Sequence, residues 1–347
     1  MTTQPSSPTI AVYGATGHTG RYLLAELRRR ALTPILVGRN ADRLHAAAAA
    51  ADLPDAEIRI ADLTDHTALV AAFTGADAVV SSLSAYVRNG EPVLAAAIAA
   101  GAHYTDISGE QLFLKKVFDD YAAAAETAGV TAIPGVTDNN VPGDLLAHLT
   151  ARRVSGPAEL VMSHLSKSGG NGSKGSAKTV FASLDWFRSG GWHFADGELR
   201  TGPAGHPQMT FPGDTAPTAV GKFPQPPVLT VPRHTEVASV EGVLAKDILD
   251  TLSSFTTELI EQIPDAPSSD LRYEVIVDAH GDGRVVRGVV EGVDSYRDSA
   301  LLAVEVATRL AAGTTKPGAL AVAEAFDPTE FLDSLARFGI TWRIEES

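Results

Sequence analysis

Apolar and polar positions follow two different rhythms along this chain. Up to about residue 150, short β-branched runs alternate with longer alanine- and leucine-rich stretches whose apolar residues recur at helical spacing. Strands are predicted at Ile10–Tyr13, Ile35–Val37, Ile58–Ile60, Ala78–Ser81, Tyr104–Asp106 and Ala132–Pro134, with helices between them. One of these helices is Asp65–Phe73, with Thr64 offered as its cap. This cadence predicts an α/β fold with a doubly wound parallel sheet, in which ligands gather at the carboxyl ends of the strands.

Beyond Leu160 the rhythm changes. Glu159–Leu165 reads as a strand and Ser176–Arg188 as a helix, while Gly190 to Pro232 is rich in Gly and Pro with few periodic positions. That stretch predicts loops and short strands, and it has the composition of a lid that orders on binding. Ile248–Ile263 has a helical apolar face. Leu271–Ala279 and Arg284–Val293 alternate with period two and are joined by His280-Gly281-Asp282-Gly283, a hairpin signal. Tyr296–Ala312 and Glu330–Phe338 are again helical. A second, α+β domain is thus expected to be inserted, with the last helices returning to the first domain.

The first strand runs directly into Gly14-Ala15-Thr16-Gly17-His18-Thr19-Gly20, three glycines spaced three apart, and then into a helix carrying Leu23, Leu24 and Leu27. Gly14 permits a tight turn, Gly17 lets backbone approach a pyrophosphate, and Gly20 allows the helix to pack on the sheet. The helix N-terminus, with Thr16, His18 and Thr19, then presents amides and a positive dipole end to phosphates. After the second strand, an NAD site would place a carboxylate for the ribose hydroxyl. Here Arg39 and Asn40 stand instead, with Arg43 one turn on, so a 2′-phosphate and NADP(H) are expected. Asp62-Leu63 after the third strand suits either the adenine edge or a helix cap. Ser82, Ser84 and Tyr86 after the fourth leave room and hydroxyls for the nicotinamide ribose.

Composition narrows the class. Of 347 residues, 42 are Asp or Glu and 28 Lys or Arg, a net charge of −14 that argues against nucleic acid or an anionic membrane as partner. The absence of cysteine excludes disulfides, thiolate metal sites and cysteine nucleophiles. Met1 to Pro8 lacks the features of a signal peptide, and no apolar run is long enough to span a bilayer. A cytoplasmic protein acting on a small molecule is the expectation.

Several chemistries are absent from the sequence. None of the seven tyrosines has a lysine four residues on, which removes the short-chain dehydrogenase pair. The ten histidines show no helical ligand spacing, so no metal is expected. No nucleophile elbow or complete phosphate loop occurs. Two polar clusters remain, His103 to Glu110 with Tyr104 and Asp106, and Pro134 to Asp144 with Asp138. Both follow predicted strands, where ligands bind and where Asp also caps helices. Tyr104, Asp106, Asp138 and His164 are the candidate proton carriers. Lys167, Lys174 and Lys178 would meet an anionic substrate or simply face solvent.

Taken in order, Gly14 to Arg21, Tyr104-x-Asp106-x-x-Gly109-Glu110 and Asp138 with Pro142-Gly143-Asp144-Leu145 resemble the saccharopine dehydrogenase-like oxidoreductases. Ser166-Lys167-Ser168-Gly169-Gly170 with Gly175-Ser176-Ala177, Tyr296-Arg297, and Lys316-Pro317-Gly318 through Phe326-Asp327-Pro328 extend the resemblance over nearly the whole chain. The resemblance implies an NADP-binding Rossmann domain over 1–145, a substrate and dimerisation domain over 146–295, and C-terminal helices over 296–347 packing back on the first. It also implies a homodimer and hydride transfer, with known members acting on carbon–nitrogen bonds of amino acids or polyamines and others proposed to reduce enoyl groups of lipid intermediates. The expectation is reduction of a C=N bond in an amino-acid or amine-derived compound. An enoyl or ketone reductase and a non-catalytic NADP sensor are the alternatives. The segment 190–232 follows no pattern of the family, which leaves the substrate open.

Overall fold

The computed structural model describes residues 7–167, 172–203, 205–264, 271–313 and 315–346, which divide into two compact units. Unit 1 comprises residues up to Ser108, Lys116–Thr137 and Ser299–Leu320. Its strands are β1 (Ile10–Tyr13), β2 (Ile35–Gly38), β3 (Glu57–Ile60), β4 (Ala78–Ser81), β5 (His103–Asp106) and β6 (Thr131–Ile133). With the two-residue strand Gly318–Ala319 they form one parallel sheet in the order 3-2-1-4-5-6 followed by 318–319. The order reverses between β1 and β4, which is where such sheets bind ligands.

The helix His18–Arg29 shows why the sequence folds this way. Leu23, Leu24 and Leu27 fall on one face and are at most 1 % exposed, each contributing roughly 1.5–3 kcal/mol by leaving water. Asp65, rather than the expected Thr64, caps the helix His66–Phe73 by accepting the Ala68 amide at 2.9 Å. Its carboxylate lies one residue nearer the helix and reaches the N3 amide.

Unit 2 comprises Gly109–Lys115, Asp138–Asp298 and Ala321–Ser347. Its strands are β7 (Ala158–Ser166), β8 (His193–Ala195), β9 (Glu198–Arg200), β10 (Gln208–Met209), β11 (Thr218–Lys222), β12 (Val237–Ala245), β13 (Tyr273–Gly281) and β14 (Arg284–Gly292). The sheet runs 10-11-12-7-13-14 and ends on the C-terminal strand Thr341–Glu346, with β8 and β9 attached at β12. Only the β7–β12 pairing is parallel among these ladders. The hairpin is where the sequence placed it: Gly281 faces Arg284 across a two-residue turn in which Asp282 and Gly283 take φ of +55° and +72°.

One face of this sheet carries the helix Asn140–Ala151 and the other an apolar cluster of Val161, Met209, Phe211, Val220, Val243 and Ile276. Gly288 lets the helix approach, since a Cβ there would stand 2.4 Å from Thr150 Oγ1 and 2.7 Å from Leu146. Two expected helices are each broken in two. Ser183 interrupts the first into Lys174–Ala182 and Leu184–Arg188, and Thr256 caps a fresh start between Lys246–Ser253 and Thr257–Gln262. The Thr256 hydroxyl accepts the Leu259 amide at 3.3 Å, a local bond that competes with continued helix. Within 190–232, buried Lys222 donates to the Gly191 and Gly202 carbonyls at 2.7 and 3.2 Å, and buried Gln111 bonds Trp192 and Gln225.

Candidate functional site

In unit 1 the glycine turn is built from backbone. Gly14 has φ +96°, and a Cβ on it would stand 2.1 Å from the Ser82 carbonyl oxygen. Gly20 packs as tightly, with Gly14 O 2.4 Å and Ala15 C 2.6 Å from its imagined Cβ. Gly17 is exposed, accepts the first helical bond and gives the helix no side-chain cap. With no side-chain cap from Gly17, the start of this helix has the arrangement that suits an anion. Thr16 and His18 flank the turn half-exposed, whereas Thr19 is buried. Imidazole Nδ1 of His18 lies 2.8 Å from Arg21, and burial together with that guanidinium holds its pKa below the usual value.

Past β2, Arg39 and Arg43 are exposed, and their guanidinium groups make no hydrogen bond or ion pair among the described residues. Asn40 instead caps the next helix, accepting the Arg43 amide at 2.9 Å. Past β3, Asp62 closes a local turn onto Thr64 through its amide and hydroxyl, which holds its carboxyl below the usual range, and Leu63 is half-buried beside it. The Arg39 charge bears on both Asp62 and Tyr13. Two uncommitted guanidiniums and an uncapped helix end suit a phosphorylated dinucleotide.

Past β4 and β5 the picture is more enclosed. Ser82 and Ser84 are half-buried, but the Tyr86 hydroxyl is committed to the loop, donating to Ser81 O at 2.7 Å and accepting the Leu83 amide at 2.9 Å. Tyr104 and Asp106 are fully buried. Asp106 Oδ1 accepts from the Ser108 amide and hydroxyl and from the Gly135 amide, tying the loop after β5 to the loop after β6. Burial pushes its carboxyl up despite those bonds, and burial drives the Tyr104 phenol well above its usual value. These two residues shape the ends of the strands from within.

In unit 2 the structure brings Asp138 and His164 together, with His164 Nε2 3.5 Å from Asp138 Oδ2. Ser295 Oγ donates to the same Oδ2. His164 keeps 22 % of its side chain exposed while its Nε2 is enclosed. This buried-carboxylate and half-exposed-imidazole pair can hold a proton and release it from the open side of the ring. Lys167 is engaged with Glu274, and Lys174 and Lys178 with Glu261. Ser168 to Asn171 of the expected glycine-rich entry lie outside the described residues. Sequence reasoning missed Ser295, Tyr273 and Asp298 around Asp138, because they enter from a hairpin strand and a helix start more than 130 positions away. Among the described residues no group of three or more His, Cys, Asp or Glu could hold a metal ion, and no helix is long and apolar enough to cross a membrane.

Residues 10–133 match the family described as saccharopine dehydrogenase NADP binding domain. A putative trans-acting enoyl reductase of Mycobacterium tuberculosis is 34 % identical over 167 residues, covering 46 % of this chain and 40 % of that protein. A trans-acting enoyl reductase of Mycobacterium ulcerans is 30 % identical over 165 residues, covering 45 % and 39 %. The chain thus spans about two fifths of the length of these relatives. Apo saccharopine dehydrogenase (L-Glu forming) from Saccharomyces cerevisiae superposes with a TM-score of 0.62 at 12 % identity, over 98 % of this chain and all of that one. Residues 10–133 therefore form an NADP-binding domain of the saccharopine dehydrogenase family, on a chain whose fold is that of saccharopine dehydrogenase.

Proposed function

We propose that the chain is an NADPH-dependent reductase of an activated carbon–carbon double bond, an enoyl compound, with His164 as proton donor. NADPH supplies the hydride when bound. The glycine turn and first-turn amides hold the pyrophosphate, and Arg39 with Arg43 engages the 2′-phosphate. Such a reduction needs a proton donor for the second carbon; His164 is that donor, and Asp138, steadied by Ser295, supports the imidazolium. Reduction of an iminium needs no such acid, because its nitrogen is protonated beforehand. The Asp138–His164 pair is the observation that carries the enoyl reading over the C=N substrate expected from the resemblance. The naming of the mycobacterial relatives supports it. A homodimer acting on a small molecule belongs to the same reading, and light scattering on the purified chain would weigh it.

The test is NADPH oxidation in the presence of short and long enoyl thioesters, with cyclic imines as the competing arm. Turnover of an enoyl thioester is expected, with His164→Gln lowering kcat by about 10²-fold or more. Turnover of imines alone, or of neither class, would sink the proposal.

A further inference from the structure

Tyr273 sits where β13 meets both of its neighbours, paired with Ser166 of β7 and with Gly292 of β14. Its ring lies over Gly292, whose Cβ, if it had one, would stand 2.0 Å from the ring carbon Cζ. The opposing position has therefore given up a side chain to admit this phenol. Yet the ring is 1 % exposed and its hydroxyl is enclosed without a hydrogen-bond partner among the described residues. Buried hydroxyls without partners are uncommon and call for a reason.

The surroundings supply one. Besides burial, the charges of Asp298 and Asp138 bear on the hydroxyl and push its pKa up. Asp298 is fully buried, its Oδ2 accepting the Val293 amide at 2.9 Å, while its enclosed Oδ1 has no hydrogen bond and lies 3.3 Å from Arg297. His164 is the diagonal neighbour of Tyr273 on the same sheet face, with ring centroids 5.8 Å apart, and its enclosed nitrogen is Nε2. Three enclosed polar atoms, Tyr273 Oη, Asp298 Oδ1 and His164 Nε2, thus surround a carboxylate, Asp138, that Ser295 already holds. The other charged groups facing them are Asp294 and Arg297.

We propose that Tyr273 and Asp298 are positioning residues for His164: once the imidazole is protonated, the Tyr273 hydroxyl, which makes no hydrogen bond in the structure, turns to accept from Nε2–H and to donate to Asp298, so that a fully buried carboxylate steadies the imidazolium through a neutral phenol. This rests on the reading of His164 as proton donor. Tyr273→Phe tests it cleanly, because the change keeps the ring and alters no charge. A shift in the titration of His164 can then arise only through the hydroxyl.

The measurement is the His164 titration by NMR on the full-length, histidine-labelled chain, with His164→Gln assigning the signal. In Tyr273→Phe the midpoint is expected to fall by about half a pH unit or more, as loss of a hydrogen bond to the charged form requires. NADPH affinity should stay within about twofold, since that site lies in residues this change does not touch. An unmoved or raised midpoint overturns the proposal. Should the Phe variant fail to fold, Asp298→Asn carries the test in the same direction, a fall supporting the coupling and no change overturning it. The titration is read without turnover, so an absence of enoyl reduction would sink the donor reading alone.

Discussion

In unit 1 the ends of β1 and β2 offer a ligand backbone amides and two exposed guanidiniums, and the residues that matter there are mostly glycines. In unit 2 the candidate proton donor is framed by side chains, with Asp138, Tyr273 and Asp298 at most 7 % exposed. The first design needs space and lets solvent screen its charges, whereas the second removes charge from water and must answer each group with a partner. The two should therefore fail differently: unit 1 by steric exclusion of its ligand, unit 2 by changes in stability and titration.

The largest effect is expected at Gly14. A methyl there meets the Ser82 carbonyl oxygen 2.1 Å away, at a φ that alanine disfavours, so backbone has to move. Gly14→Ala is expected to weaken NADPH binding by about 100-fold or more, the loss that misplacing the phosphate turn would bring. Fluorescence titration with NADPH reads it, and retained affinity would show that the turn does not hold the dinucleotide.

Next comes the buried pair in unit 2. Asp144 and His234 meet at 2.9 Å with side chains 4 % and 6 % exposed, and Asp144 also accepts the Ala323 amide. Burial opposes both charges, but each outweighs it for the other: Asp144 is held below the usual carboxylate range and His234 above the usual imidazole value. Asp144→Ala strands the imidazole and is expected to cost about 3–5 kcal/mol of stability. The pH dependence follows from the two directions. The His234 contribution is complete below roughly pH 6.5 and fades as pH rises through its higher folded value; the Asp144 contribution is present above roughly pH 4 and fades as pH falls through its lower folded value. Thermal unfolding across pH should show this bell in the native chain and lose it in the variant.

How far the sequence revealed these regions follows from the same contrast. Gly14, Gly17 and Gly20 lie three apart and Arg39 directly follows the next strand, and each is singled out by a property of its own residue type, so a linear reading finds them. Strands β1, β2, β4 and β6 were equally legible, because a parallel strand buried on both faces leaves an apolar run with turn residues behind it. Asp138 and His164 could be named as candidates but not paired, since they meet only once β7 is placed. Tyr273 and Asp298 carried no signal at all: a tyrosine in an alternating strand and an aspartate in a helix look like ordinary core and surface. Gly292 was the one hint, and it becomes meaningful only when the register sets it opposite Tyr273. The breaks at Ser183 and Thr256 were hidden because apolar periodicity continues through them, although at Thr256 the hydroxyl bonds the Leu259 amide.

Arg39 sharpens the comparison from the unit 1 side at moderate magnitude. An exposed guanidinium that meets a 2′-phosphate through charge-assisted bonds contributes about 1.5–3 kcal/mol. Arg39→Ala is therefore expected to lose about 10- to 100-fold in NADPH affinity, leave NADH binding nearly unchanged and leave thermal stability within about 0.5 kcal/mol, as for other surface changes. Equal losses for the two nucleotides would instead tie Arg39 to the adenine or the turn.

The smallest expected effect tests whether unit 2 really carries strain that unit 1 avoids. Burial raises the Asp298 carboxyl from 3.8 to about 6, against the Val293 amide and the Arg297 charge. Because the folded chain then holds this proton more tightly than the unfolded one, stability falls as pH rises from about 4 to about 6 and stays lower above that. The full shift corresponds to roughly 3 kcal/mol, and relaxation around the charge leaves an expectation of about 1–2 kcal/mol. Asp298→Asn keeps an oxygen for the Val293 amide and removes the charge, so its stability relative to the native chain should improve by that amount between pH 4 and pH 8. Asp106 supplies the control from unit 1, where burial also raises the carboxyl and Oδ2 is likewise enclosed without a hydrogen bond, but three donors hold Oδ1. Asp106→Asn should therefore gain less with rising pH and lose more at every pH. If the two variants behave alike, enclosure rather than the number of donors on the carboxylate sets the strain, and the contrast drawn between the two units fails at its buried end.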